Sequence, residues 1–411
     1  MATRHPPADH AQRATDDRSQ RAAVAYLAFL GIVMAVGVDI ALPAFARISD
    51  TFSLSDGDGQ VSLVGTTYFL GMATGQLVFG PASDRFGRRR CLQIGIVLAA
   101  IGALGAAIAP SFTLLLVARG VWGLGAAAPA VLRTAIARDL FDGDEMARVV
   151  TVIMAVFLIG PIFVPSFGQL ILASGSWRAV FVAALVIAAV GFVWTLAFGE
   201  TLRPEDRRPL AAGPLLEALG AVVRTRATVG YILAQTFATG AFVIFLGSGQ
   251  PIIDRIYGRG SQFALFFGIA GTVMSLALVG NNRLIRMHGA RTMALVAAIS
   301  FVTLATGGLV MMLLTDGRPP FAAWFVWLAL SNSLPTLMSP MCNSLALEPM
   351  GRLAGTASAI LGFVTLAGGA LLAQVFDSMI DRSVTPMAVG YVVYGSLALA
   401  ALLWARSRPG T

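Results

Sequence analysis

No lysine occurs in this chain, cysteine occurs twice, histidine three times, and charged residues make up only 12% of it. Each scarcity excludes something. Soluble domains carry about 25% charged residues. A chain this poor in charge, 57% hydrophobic and with a mean hydropathy of +0.78, is an integral membrane protein. Cys91 and Cys342 lie near predicted helix ends without paired spacing, which argues against a disulfide framework or a cysteine metal site. His5, His10 and His288 fall in the N-terminal tail and a loop, so no histidine proton relay sits within the membrane. The formal charge of +8 rests on arginines gathered in short loops between apolar runs, a pattern that does not point to nucleic acid. No GxxxxGK loop is present, so ATP is not the direct energy source. No HExxH, no GxSxG and no pair of intramembrane acids supports hydrolysis. The chain is therefore expected not to be an enzyme and to hold no cofactor or metal.

Long apolar runs dominate what is there. A spanning helix needs about 20 apolar residues. Twelve candidate spans follow, at roughly 22–46, 60–80, 91–110, 112–136, 147–173, 177–198, 227–250, 262–284, 291–314, 320–345, 353–376 and 384–405. The runs are continuous rather than alternating, which excludes a closed barrel. Residues 1–21 are polar and read as a disordered cytoplasmic tail. The run that follows is too long for a signal-peptide core, so it is expected to remain as helix 1. With the N-terminus inside, twenty-two arginines fall in internal segments and six in external ones. That bias puts both termini in the cytoplasm. The longest polar interruption, 200–226, divides the chain into bundles at 22–199 and 227–405, with a tail at 406–411. It is expected to be a cytoplasmic linker carrying a short surface helix over Leu215–Val223. The fold expected is all-α: twelve transmembrane helices in two six-helix, pseudo-symmetric bundles. Related halves of this kind are a transporter pattern, with sites between the halves near the midplane.

Between the second and third runs lies GPASDRFGRRR, Gly80 to Arg90, with four arginines and one acid. Two glycines, Gly80 and Gly87, permit tight backbone turns, and Asp84 can cap a helix or pair with an arginine. The stretch resembles the signature loop between helices 2 and 3 of the major facilitator superfamily, with Ala82 in place of the usual Leu and Arg90 where Pro is common. A weaker copy, RMHGAR from Arg286, occupies the equivalent place in the second half: Gly289 matches Gly87 and Arg291 matches Arg89, while Arg286 replaces the acid. TTYFLGMATGQLVFGP, VDIALPAF, RGVWGLGAAAPAVLRTAIARDLF and GRLAGTASAILG extend the likeness, and look like the bicyclomycin- and chloramphenicol-resistance (Bcr/CflA) branch of drug:proton antiporters. GPIFVPSFGQ on helix 5 is similar to the antiporter motif of that superfamily at Gly160 and Pro161, with Val164 and Pro165 where a glycine pair is usual.

Asp39 lies in an apolar stretch, four residues before Pro43. A carboxyl in lipid is costly if ionised, so it must face a cavity or a partner. Partly desolvated, it can exchange a proton near physiological pH, and the resemblance implies a proton site that drug binding discharges. Arg119 is the one arginine that falls well inside a predicted span, away from its ends. At 1.5 Å per residue it lies roughly 12 Å below the outer face, and Asp39 roughly 10 Å. A buried guanidinium stays charged and needs an acceptor: Asp39, carbonyls or water. The expectation is that Arg119 biases the proton equilibrium of Asp39, against the alternative that it braces helix packing through carbonyls. Gly160 and Pro161 free a carbonyl and bend helix 5, and the resemblance implies a gating role. Gly71, Gly75, Gly120, Gly123 and Gly125 read as close helix packing. Tyr68, Trp122, Gln235, Phe242, Phe245 and Asn332 are candidate contacts for an amphipathic solute. Asp84, Arg85 and Arg88, with Gly80 and Gly87, are expected to latch the cytoplasmic ends of the halves when the molecule faces outward.

The function expected is proton-coupled export of small amphipathic drugs by alternating access. The expected setting is the cell membrane, inner or plasma, with drug, protons and bilayer as partners and the chain a monomer. The rival expectation is a proton-coupled importer of a small anionic metabolite, with Arg119 as the anion site.

Overall fold

The computed structural model describes residues 8–54, 59–173, 175–207 and 212–406. Twelve long helices run through them: α1 (Ala8–Asp39), α2 (Leu63–Phe86), α3 (Arg88–Ile108), α4 (Phe112–Leu140), α5 (Gly143–Ala173), α6 (Arg178–Ala197), α7 (Arg226–Pro251), α8 (Phe263–His288), α9 (Ala290–Leu314), α10 (Phe321–Leu347), α11 (Ala354–Asp377) and α12 (Thr385–Arg406). No strand occurs among the described residues. Ten stretches there are long and apolar enough to cross a membrane, and one of them, Phe321–Asp377, holds both α10 and α11. In α5 the qualifying apolar part is shorter, Ile159–Ala173.

The outward faces explain why these helices need lipid. On α3, Ile94, Val97, Ile101, Leu104 and Ile108 are exposed at spacings of three and four, as are Val182, Val186, Val190 and Val193 on α6. In water such apolar stripes would be a large penalty. The inward faces carry small residues. A Cβ on Gly71 would strike the Gly120 carbonyl, one on Gly123 the Tyr68 carbonyl, and one on Gly125 the backbone of Gly95 and Ala99. These glycines let α2, α3 and α4 pack backbone to backbone, as small residues do where lipid supplies no hydrophobic drive.

Two one-residue turns mark the repeat within the chain. Gly87 (φ 98) separates α2 from α3, and Gly289 (φ 79) separates α8 from α9. Both backbones are in the region that favours glycine. Helices α1–α6 pack chiefly on one another, and so do α7–α12; the seams between the sets are α2 on α11 and α5 on α8.

Three boundaries differ from expectation. Helix α1 begins at Ala8 rather than at about 22, because beyond Pro6 and Pro7 the polar segment holds no helix breaker and several good helix formers. Residues 1–7, 208–211 and 407–411 of the expected tails and linker lie outside the described residues. Helix α1 also stops at Asp39, short of 46, and the chain continues through a 3₁₀ turn, Leu42–Ala44, into a short helix, Phe45–Thr51. Pro43 is the cause: its ring clashes with the carbonyl four residues back, which belongs to Asp39. The linker helix runs Ala212–Arg224, packs against α7 and α11, and leaves Leu216, Leu219 and Val223 exposed.

Candidate functional site

The break in α1 leaves Asp39 at a helix end inside the protein, 5% exposed. Among the described residues nothing donates a hydrogen bond to its carboxylate and no cation pairs with it. Arg119, 1% exposed on α4, stands beside this break. Its Nη1 donates to the Gly37 carbonyl at 3.0 Å, two residues from Asp39, and its Nε donates to the Val64 carbonyl at 3.0 Å. The guanidinium carbon also lies 4.5 Å from the centre of the Tyr68 ring and 4.9 Å from that of Trp122. A buried guanidinium is thus supported by two carbonyls and two aromatic faces. Arg119 thus reaches the last turn of α1 beside Asp39, but the expected pairing with its carboxylate does not occur in this structure. Arg119 ties α1 to α2, and the Gly37 carbonyl it uses lies in the last turn of α1, which Pro43 ends.

Tyr68 lies in electrostatic range of both groups. Its hydroxyl is buried without a partner among the described residues. A small cavity there is bounded by Val38, Thr66, Tyr68 and Arg119 from one half and by Val243, Gly247 and Asp377 from the other.

Among the proposed substrate contacts, Tyr68 alone borders this cavity. Trp122 packs behind it, its ring centre 6.1 Å from that of Tyr68 and 6.0 Å from that of Phe181. Phe245 stacks on Phe267 at 5.1 Å. Asn332 donates to the Leu328 carbonyl at 3.0 Å and to Tyr391 at 2.8 Å. Trp122, Phe245 and Asn332 thus pack against neighbouring rings or bond neighbouring groups in this structure and do not border the cavity. Phe242 is half-buried against the core. Gln235 donates to Ser339 at 3.2 Å and keeps a buried Oε1 without a partner among the described residues.

At the opposite end the signature loop forms a charge cluster. Arg88 donates to Asp84 Oδ1 at 2.5 Å, to Ser83 Oγ at 2.7 Å and to Asp139 Oδ2 at 3.0 Å. Glu200 accepts from the backbone of Arg88, Thr201 and Leu202 and closes over Gly87. These partners all belong to α2, α3, α4 and the chain after α6, so Asp84 and Arg88 do not bridge the halves here. Arg85 is exposed, against the Phe86 ring at 5.8 Å. Gly80 is no turn either: it sits inside α2, and an added Cβ would meet nothing within 4 Å. A polar cavity of about 660 Å³ opens at this end, bordered by Asp84, Arg88, Asp139, the linker and Gly355 of α11.

The end near Asp39 is drawn together instead. Ser62 and Thr66 both donate to Gln374 Oε1 at 3.0 Å, Arg255 donates to Ser49 at 2.8 Å, and Gln169 accepts from the Ala264 amide at 3.0 Å. Helix α5 joins this seam: Gly160 lies against Ala35 of α1, and Pro161 faces Gly271 of α8, 3.3 Å from the position of a Cβ there. Helix α5 stays continuous through Pro161 and Pro165.

Asp139, Glu200, Gln374 and Asp377 were missed by sequence reasoning. Asp139 and Glu200 stand at helix ends beside the loop they serve, a weak signal. Asp377 lies one residue past the expected end of helix 11 and so reads as a loop acid.

Comparison with known proteins adds the following. A family described as Major Facilitator Superfamily matches residues 27–408. The "Bicyclomycin resistance protein homolog" of Haemophilus influenzae is 32% identical over 369 residues, 88% of this chain and 90% of that one. The "Uncharacterized MFS-type transporter YdgK" of Bacillus subtilis is 31% identical over 398 residues, 93% of this chain and 96% of that one. Among solved structures, the xylose transporter XylE from E. coli superposes with a TM-score of 0.72 at 16% identity, covering 93% of this chain and 96% of its own, which establishes likeness of fold.

Proposed function

Since this chain belongs to the Major Facilitator Superfamily, we propose that it exports small amphipathic drugs in exchange for protons by alternating access. The observation that carries the coupling is Asp39, a buried carboxyl without a partner among the described residues, at a proline-broken helix end. An acid so situated is costly when ionised and stable when protonated, so its charge state and its access to water are linked. The drug class is supported by the likeness to a bicyclomycin resistance homolog along most of both chains.

The cycle runs as follows. With the Asp39 end open, Asp39 takes a proton from outside. Closing that end, as Ser62, Thr66 and Gln374 do here, turns the cavity to the cytoplasm. Drug entry displaces the proton inward, and the loaded molecule turns outward. The membrane potential contributes about 2.3 kcal/mol per proton per 100 mV. Arg119 holds α1 and α2 in register around Asp39 and keeps a fixed positive charge near it. Asp84 and Arg88 organise the cytoplasmic loop and, with Gly87, are available to latch that end when it closes. Gly160 and Pro161 let α5 roll against α1 and α8. Tyr68 and Gln235 keep polar atoms for the drug. Both termini are cytoplasmic in this reading, the membrane is the inner or plasma membrane, and the transporting unit is the monomer. Import of an anion through Arg119 is disfavoured, because that guanidinium is committed to two carbonyls and two rings.

The test is a resistance profile of cells producing the chain, paired with proton release from everted vesicles on adding drug. Asp39→Asn abolishes both; unchanged export by this variant removes Asp39 as the coupling site. Uptake of an organic acid, with no response to drugs, replaces export by import.

A further inference from the structure

We propose that Asp377 is a second proton-binding site, set in the seam that closes the Asp39 end of the molecule, and that its neutral form is a condition for that seam to shut. This rests on the proton-coupled reading above. Asp377 is the last residue of α11 and is 1% exposed. Its Oδ1 accepts from Ser248 Oγ of α7. Its Oδ2 is buried and receives no hydrogen bond among the described residues. The oxygen fits only because position 247 is glycine; a Cβ there would collide with it. Two cavities of about 10 and 30 Å³ open on this carboxyl, one bordered by Arg119 and Tyr68, the other by Ser49 and Arg255. A water needs about 10–15 Å³, so the spaces are of a size for water.

Among the described residues, the charged and titratable groups around it, Tyr68 excepted, are engaged elsewhere. Arg119 of α4 is bonded to the Gly37 and Val64 carbonyls, and Arg255, just past α7, donates to Ser49. Of the tyrosines on α12, Tyr391 bonds Asn332 and Tyr394 donates to the Leu372 carbonyl. Tyr68 of α2 borders the same cavity without a hydrogen-bond partner among the described residues. None of these donates to Oδ2 or forms an ion pair with Asp377. A carboxylate sealed with a single donor is strongly penalised, and a neutral acid, able to donate to one water, is not.

The seal comes from the other half. Gln374, one turn before Asp377, holds Ser62 and Thr66 of the α2 region, whereas Ser248 belongs to the same half as Asp377. Opening this end parts the first set and keeps the second, so Oδ2 meets bulk water and ionises. The proton comes from that solution before closure and returns to it on reopening. It sets the gate, and the transported proton remains that of Asp39.

The test uses the full chain in lipid nanodiscs, with Cys91→Ala and Cys342→Ala. Spin labels are placed at the exposed Asp50→Cys and Arg382→Cys positions, on opposite sides of the seam. The short-distance population is expected to grow as pH falls. Asp377→Asn shifts the population toward the short-distance state at every pH, and Ser248→Ala moves the midpoint to higher pH. The proposal is overturned if the parent distance ignores pH, or if Asp377→Asn follows the parent curve. Should Asp377→Asn not yield folded protein, an unmoved midpoint in Ser248→Ala overturns it. Failure of the export reading looks different: no drug releases protons from vesicles, while the pH response of the gate persists.

Discussion

Glycines in this chain look alike in sequence and differ sharply in consequence. Gly71 faces the Gly120 carbonyl, with no room for a Cβ, whereas Gly80, one of the family-signature positions, faces open space within α2. Overpacking of this kind costs about 1–3 kcal/mol. Gly71→Ala is therefore expected to lower the thermal stability of the detergent-purified protein clearly, and Gly80→Ala to leave it unchanged, as read by a melting curve. Equal effects of the two would mean that α2 and α4 are not in backbone contact. The same contrast holds among the acids. Asp39 stood out in sequence because it interrupts an apolar run. Asp377 did not, because it sits at a helix end, where acids are ordinarily solvated; only its burial against Ser248 and Gly247 sets it apart.

Among the elements, α1 and α5 carry the most mechanical information. Proline acts on both, with opposite results: Pro43, four residues past the end of α1, stops that helix at Asp39, while α5 runs on through Pro161 and Pro165. The break is what makes the Asp39 region more than a span passing through oil. Pro43→Ala restores an amide N–H and lets α1 continue, which carries Asp39 into a regular turn and swings the Phe45–Thr51 helix away. Drug resistance is expected to fall to that of cells lacking the protein, with helix content by circular dichroism unchanged. Retained resistance would show that the break is dispensable. Gly87 and Gly289 were legible as turns from the signature loop and its copy, since a one-residue connection with positive φ requires glycine. The continuation of α1 back to Ala8 was not, because a polar segment gives no burial signal even where its helix propensity is good.

For the whole molecule, the decisive feature is asymmetry between the ends: a polar cavity of about 660 Å³ at one, and hydrogen bonds between the halves with water-sized spaces at the other. Joining Ser62→Cys to Gln374→Cys with a reducible bifunctional thiol reagent, in a chain lacking Cys91 and Cys342, is expected to stop transport and to restore it on reduction. Transport that persists with the crosslink in place would mean that this seam never opens. The sequence alone determined the membrane class, the twelve-helix count, the signature loop and the family, because apolar run length and glycine and arginine spacing are local properties of the chain. Tertiary structure alone decided that Arg119 bonds carbonyls instead of Asp39, that Trp122, Phe245 and Asn332 lie away from the cavity that Tyr68 borders, and that Asp377 is sealed in a seam. Those outcomes depend on which helix faces come to lie together, and no residue's neighbours along the chain specify that.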